Sequence, residues 1–123
     1  MNLNYSQTTG RITKDDGDLV TEGWAGNGEG KNNPAMQGVH SVGPLPQGVY
    51  RVDPWEEQHG HLGPIVAHLC MISGDPMGRD AFFIHGPSMG ENFGQESKGC
   101  IVIPREGRKC VKCLQPDTLT VTP

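Results

Sequence analysis

"FFIHGPSMGENFGQESKGCIVI" (Phe82–Ile103) is the stretch on which the reading of this chain turns. Two short apolar runs of strand length, one ending on His85 and the other beginning on Cys100, flank a polar, Gly-rich loop. Side chains alternate along an extended strand, so Ala81, Phe83 and His85 share one face and Phe82 and Ile84 the other. His85 therefore falls at a strand end, where a side chain can leave the core and face a cleft. Fifteen residues later Cys100 opens the β-branched run Ile101-Val102-Ile103. That spacing lets the two strands pair side by side and brings an imidazole within reach of a thiol. Gly99 permits a sharp turn, so the N–H groups around Gly99 and Cys100 can converge on a developing oxyanion. Ser97 can cap that turn or bond a substrate, and Lys98 is a cation suited to holding a thiolate. A small buried cysteine and a satisfied strand-end histidine would account for either residue alone. The S-x-G-C context with a histidine upstream favours a working pair.

The rest of the chain agrees with a β protein. It has 123 residues, the length of one domain with a modest core. Eighteen glycines and ten prolines punctuate it, and hydrophobic residues make up only 34%. That composition favours many short strands over a helical bundle. Strand-like segments run over Leu3–Thr9, Asp18–Ala25, Val49–Asp53, Ile65–Ile72, Ala81–His85, Cys100–Ile103 and Thr118–Val121. "GWAGNGEGKNNPAMQG" (Gly23–Gly38) is too rich in Gly and Asn for a regular element and reads as a long loop or flap. "GPLPQGVY" (Gly43–Tyr50) reads as a proline-fixed turn feeding a strand. The one helix candidate is Pro104–Leu114, with Gly107 weakening its interior.

A net charge of -4 gives no reason to expect a nucleic-acid partner. No apolar run approaches the roughly 18–20 residues that span a bilayer, and no secretory leader is visible. Basic residues gather between Lys98 and Lys112, with Arg105, Arg108 and Lys109 placed to line a positive rim beside Cys100. A solvated helix face is the plainer account of such a run. Cys110-Val-Lys-Cys113 could join His59 and His61 in a zinc site, but one C-x-x-C is weak ground, and a local disulfide or two free thiols is the default. His68 and Cys70 alternate on one strand face, roughly 6–7 Å apart, too far to form the dyad. His40 is a loop residue. No metal or cofactor is called for.

"FFIHG…SKGCIVI" resembles the active-site signature of the L,D-transpeptidase (YkuD-like) enzymes. The upstream order, "TTGRI", "GWAGNGEGKNNP" and "GPLPQGVYRV", resembles a compact branch associated with type VI secretion effectors. The resemblance runs from about Tyr5 to Ile103. It implies a mainly β fold, sandwich-like or barrel-like with little helix, forming a single catalytic domain over 1–123. Position by position it implies Cys100 as nucleophile and His85 as base. Gly86 would orient the imidazole through its carbonyl, and Ser97, Lys98 and Gly99 would shape the oxyanion and substrate site. Lys98 stands where the larger family has a second histidine, and Val102 where it often has Arg or Asn. The implied activity is acyl transfer on peptidoglycan tetrapeptide stems, as transpeptidase, carboxypeptidase or D-amino acid exchange. The implied setting is an antibacterial effector made in the cytoplasm and delivered without a signal peptide into a target bacterium's periplasm. Its partners would be a secretion apparatus and a cognate immunity protein. The alternatives are a phage-borne cell-wall enzyme and a non-catalytic cell-wall binding module.

Overall fold

The computed structural model describes residues 1–60, 62–87 and 98–123. Ten strands and one α-helix follow in chain order: β1 (Asn2–Ser6), β2 (Arg11–Lys14), β3 (Leu19–Glu22), β4 (Trp24–Ala25), β5 (Gly48–Val52), β6 (Glu56–His59), β7 (Gly63–Gly74), β8 (Phe82–His85), β9 (Ile101–Val102), α1 (Arg105–Leu114) and β10 (Thr118–Thr122). They form one sheet in the order β3-β2-β1-β10-β5-β7-β8-β9-β4, with β6 paired to β7 off that path. β1 pairs parallel to β10 and β8 parallel to β9, while the other pairs are antiparallel.

The two ends of this path, β3 and β4, are joined through Gly23 alone, so the sheet curls until it nearly closes. Closure of this kind leaves little free strand edge. Gly23 suits the seam for a steric reason. Its N–H donates to Gly10 O at 2.8 Å, and a Cβ there would lie 1.8 Å from Val102 O. Any side chain would force β4 away from β9. The architecture is mainly β and barrel-like with a single short helix, as the turn-rich composition leads one to expect.

Alternation fills the interior. Leu3 and Tyr5 of β1, Leu119 and Val121 of β10, and Phe82 and Ile84 of β8 are all buried in one core cluster. Ile101 and Ile103 join them from the second run, and Val111 closes the core from α1. Burying each such side chain is worth about 1.5–3 kcal/mol. Helix α1 runs almost the span expected, but Gly107 does more than weaken it. A Cβ at Gly107 would come within 2.1 Å of Thr21 Oγ1 on β3, so the glycine lets helix and sheet approach closely.

Two strands lie outside the apolar segments read from sequence. β2 is "RITK", with only Ile12 fully buried, and β6 is the polar "EEQH". Gly23–Gly38 is largely irregular, with two short 3-10 turns at Gly28–Gly30 and Pro34–Met36, yet it begins with β4. "GPLPQGVY" feeds β5 and is tied down at both ends. Tyr50 donates to Pro46 O at 2.7 Å, and the buried Gln7 donates to Leu45 O at 2.9 Å.

Candidate active site

The parallel β8–β9 pair sets Ile84 opposite Ile101 and His85 opposite Val102. Ile84 and Ile101 face the core, so Phe83, His85 and Val102 occupy the other face. Cys100 immediately precedes Ile101, just outside β9, and alternation carried back one residue would set it on that same face. Strand rise and spacing put the Cα atoms of His85 and Cys100 roughly 8 Å apart.

His85 is only 5% exposed, so its ring is buried and not set in an open cleft. Its Nδ1 lies 2.8 Å from Gly86 O. A carbonyl can only accept, so Nδ1 carries the proton and Nε2 is the basic nitrogen. The backbone of His85 is fixed too, because its carbonyl accepts from Ile103 N at 2.9 Å.

The Cys100 sulfur lies 3.7 Å from Ala81 O, to which the thiol donates weakly. Burial pushes the Cys100 pKa up. Hydrogen bonding from the backbone at Phe83 and the charge of Arg79 pull the other way, without reversing the direction. Cys100 therefore rests as a thiol. Ala81 also lines a groove of about 380 Å³, which runs past Cys70, Ile72 and Asp80 on β7 and the segment before β8.

Gly99 takes φ +122, a conformation that favours glycine, and its carbonyl accepts from Leu45 N at 3.0 Å. Lys98 is exposed, and the cation acting on Cys100 is Arg79. Arg79 is 5% exposed and donates to Gln37 O, Pro44 O, Gly43 O and Lys98 O. Nothing in "GDPMGRD" distinguishes it from a solvated turn residue, so sequence reasoning passed over it.

Arg108 departs from the rim expected of the basic segment. It is 5% exposed and points inward, donating to Pro64 O at 2.5 Å. Its guanidinium packs against Gly86, where a Cβ would meet Nη2 at 2.5 Å. Lys112 instead pairs with Glu57, and Lys109 with Glu106 at 3.6 Å, both on the surface.

Ser97 and His61 lie outside the described residues. His59 and His68 flank Phe83, with ring centroids 5.2 and 5.1 Å from it, and His68 Nδ1 lies 2.7 Å from Asp53. His40 is an exposed loop residue. Cys110 and Cys113 are exposed and unbridged on α1, and Cys70 is also free. Among the described residues no three His, Cys, Asp or Glu side chains gather in a metal-binding cluster. No helix among them is long and apolar enough to cross a membrane.

A nearly closed β sheet, with a carbonyl-anchored histidine ending one strand and a cysteine just before its neighbour, defines a small, mainly β domain. The chain belongs to the Tlde1 domain family, whose model matches residues 20–115, and it is a type VI secretion effector domain. The matched span includes Arg79, His85, Gly86, Cys100 and Arg108 and leaves out β1, β2 and β10. Comparison with curated proteins and with solved structures gives no match. Membership implies a secretion apparatus and a cognate immunity protein as partners, and delivery to a target cell.

Proposed function

We propose that this effector domain is a cysteine-dependent acyl transferase or hydrolase acting on peptidoglycan tetrapeptide stems in the target's periplasm. The observation that supports the reading is the parallel pairing of β8, which ends on His85, with β9, which begins just after Cys100, together with the His85 Nδ1 bond to Gly86 O. That leaves Nε2 to accept a proton from a thiol that burial keeps protonated at rest. The resemblance of "FFIHG…SKGCIVI" to L,D-transpeptidases supplies the substrate class.

In the first step His85 Nε2 takes the thiol proton as the sulfur bonds to the carbonyl carbon after the third stem residue. The tetrahedral oxyanion needs preorganised N–H donors, for which the turn at Gly99 and Cys100 is the candidate. The C–N bond then breaks, the proton passes from His85 to the departing amine, and D-alanine leaves. Water resolves the thioester to a carboxylate, or an amine resolves it to a new amide, and Cys100 regains its proton in either case. The groove ending at Ala81 is the candidate path for the peptide.

Incubation of the protein with tetrapeptide fragments tests this by intact mass and by D-alanine release. The expected result is a thioester adduct on Cys100 together with free D-alanine. Folded protein that binds the fragments without adduct or release would instead be a binding module.

A further inference from the structure

Arg79 is a buried cation with an unusual set of neighbours. All four of its hydrogen bonds go to carbonyls: Gln37 O at 2.5 Å, Pro44 O at 2.8 Å, Gly43 O at 3.0 Å and Lys98 O at 3.1 Å. Three of these acceptors belong to the segment leading into β5, and the fourth belongs to the turn that carries Cys100. The guanidinium also packs over the Phe82 ring at 5.3 Å. Its Nη2 would lie 2.4 Å from a Cβ on Gly99. Among the described residues it forms no ion pair with a carboxylate, and its neighbour Asp80 is exposed.

A guanidinium cannot shed its proton to escape burial, and carbonyl dipoles compensate its charge only in part. Among the described residues, the groups acting on it that can turn negative are Tyr50 and Cys100. Tyr50 is buried with its hydroxyl donating to Pro46 O, and burial pushes its ionisation far upward. Of the two, Cys100 is the weaker-held proton, a thiol that a neighbouring base could take. Among the described residues, the other charged or titratable groups near this turn are His85 on β8 and the exposed Lys98.

We propose that Arg79 is a positioning residue for Cys100, clamping the nucleophile turn to the Gln37–Pro44 segment and serving as fixed counter-charge to the thiolate. When the thiol proton passes to His85, the negative charge forms beside a cation that is already in place and shielded from salt. The proposal rests on the reading of Cys100 as nucleophile, but thiol ionisation can be followed without any substrate.

The test is the pH dependence of iodoacetamide alkylation, read at the Cys100 peptide by mass spectrometry in the intact chain. Arg79→Gln should raise the midpoint by about one pH unit or more, and Arg79→Lys, which keeps the charge, by clearly less. In the wild type, added salt should leave the midpoint nearly unmoved, because a buried pair is screened little. An unchanged midpoint in folded Arg79→Gln overturns the proposal, as do equal shifts in both variants. If Arg79→Gln does not fold, Arg79→Lys and the wild-type salt series decide. A wild-type midpoint that climbs strongly with salt assigns the counter-charge to an exposed cation and overturns the idea. Correct midpoints with no stem-peptide turnover would refute the proposed function and leave this inference standing.

Discussion

Arg79 occupies the space that a side chain on Gly99 would need, its Nη2 2.4 Å from the ideal Cβ position. The nucleophile turn is thus packed from beneath by a buried cation, at a residue whose φ of +122 already disfavours a side chain. Gly99→Ala should therefore incur both backbone strain, about 1–3 kcal/mol, and a clash with the clamp. The expected outcome is a lower melting temperature and a strongly reduced rate of Cys100 alkylation. A variant matching wild type in both measurements would show that the turn adapts.

Cysteine replacements separate the site from the remaining thiols. Cys100→Ala should abolish adduct formation and D-alanine release with the circular dichroism spectrum unchanged. Single replacement of Cys70, Cys110 or Cys113 should leave turnover largely in place, since Cys70 stands on β7 and the other two on α1, none of them at the β8–β9 pair. Turnover assays on the four variants check this, and a second essential cysteine would contradict it.

The thiol's direction of shift sets a pH dependence. Because burial raises the Cys100 pKa, its thiolate fraction at pH 7 lies below that of an ordinary cysteine near 8.5. Without substrate, exposed Cys110 and Cys113 should be alkylated first at neutral pH, and Cys100 should catch up as pH rises. His85→Ala removes the base and should lower turnover by a factor on the order of 10² or more. It should also slow Cys100 alkylation near neutral pH. Peptide-resolved alkylation across pH measures each of these.

Asp53 offers a check on the opposite sign. Hydrogen bonds from Arg51 and His68 hold its carboxyl below the usual range. A depressed carboxylate contributes stability above its unfolded pKa of about 3.9 and loses it as pH falls through the folded value. Asp53→Asn should lower stability by about 0.5–1 kcal/mol at pH 7 and by little below pH 3. Denaturant unfolding at the two pH values measures the difference, and an equal loss at both would point to packing instead of charge.

How far the sequence could be read follows from the range of the signals. Alternation is local, so the core faces of β1, β8, β9 and β10 were legible. β2 and β6 were not, because hairpin pairing with an apolar neighbour, β1 or β7, makes strands of segments as polar as "EEQH". Charge proved the weakest guide. Lys98 adjoins the nucleophile in sequence yet is exposed, whereas Arg79, nineteen residues upstream of Lys98, bonds that residue's carbonyl. Arg108, one member of a basic run on an amphipathic helix, turns inward because its carbonyl partners come from β7. No local pattern encodes which arginine of a run finds a buried acceptor.

Arg108 and Gly86 yield the last test. Gly86 O anchors the base, and the Arg108 guanidinium fills the volume beside the Gly86 Cα, at 2.5 to 2.8 Å from where a Cβ would stand. Gly86→Ala must displace the guanidinium or the backbone that holds His85. Arg108→Ala opens a space but strands no carboxylate, since among the described residues Arg108 forms no ion pair. The double variant should then be better than the sum of the single losses, because the new methyl enters the space the arginine has left. A coupling of about 1 kcal/mol or more is expected for groups in direct contact. Unfolding of wild type, both single variants and the double variant gives the coupling, with Cys100 alkylation near neutral pH as a parallel readout of His85. Strict additivity would mean that Gly86 tolerates a side chain by moving away from Arg108, and the base would then owe its position to the β8–β9 pair alone.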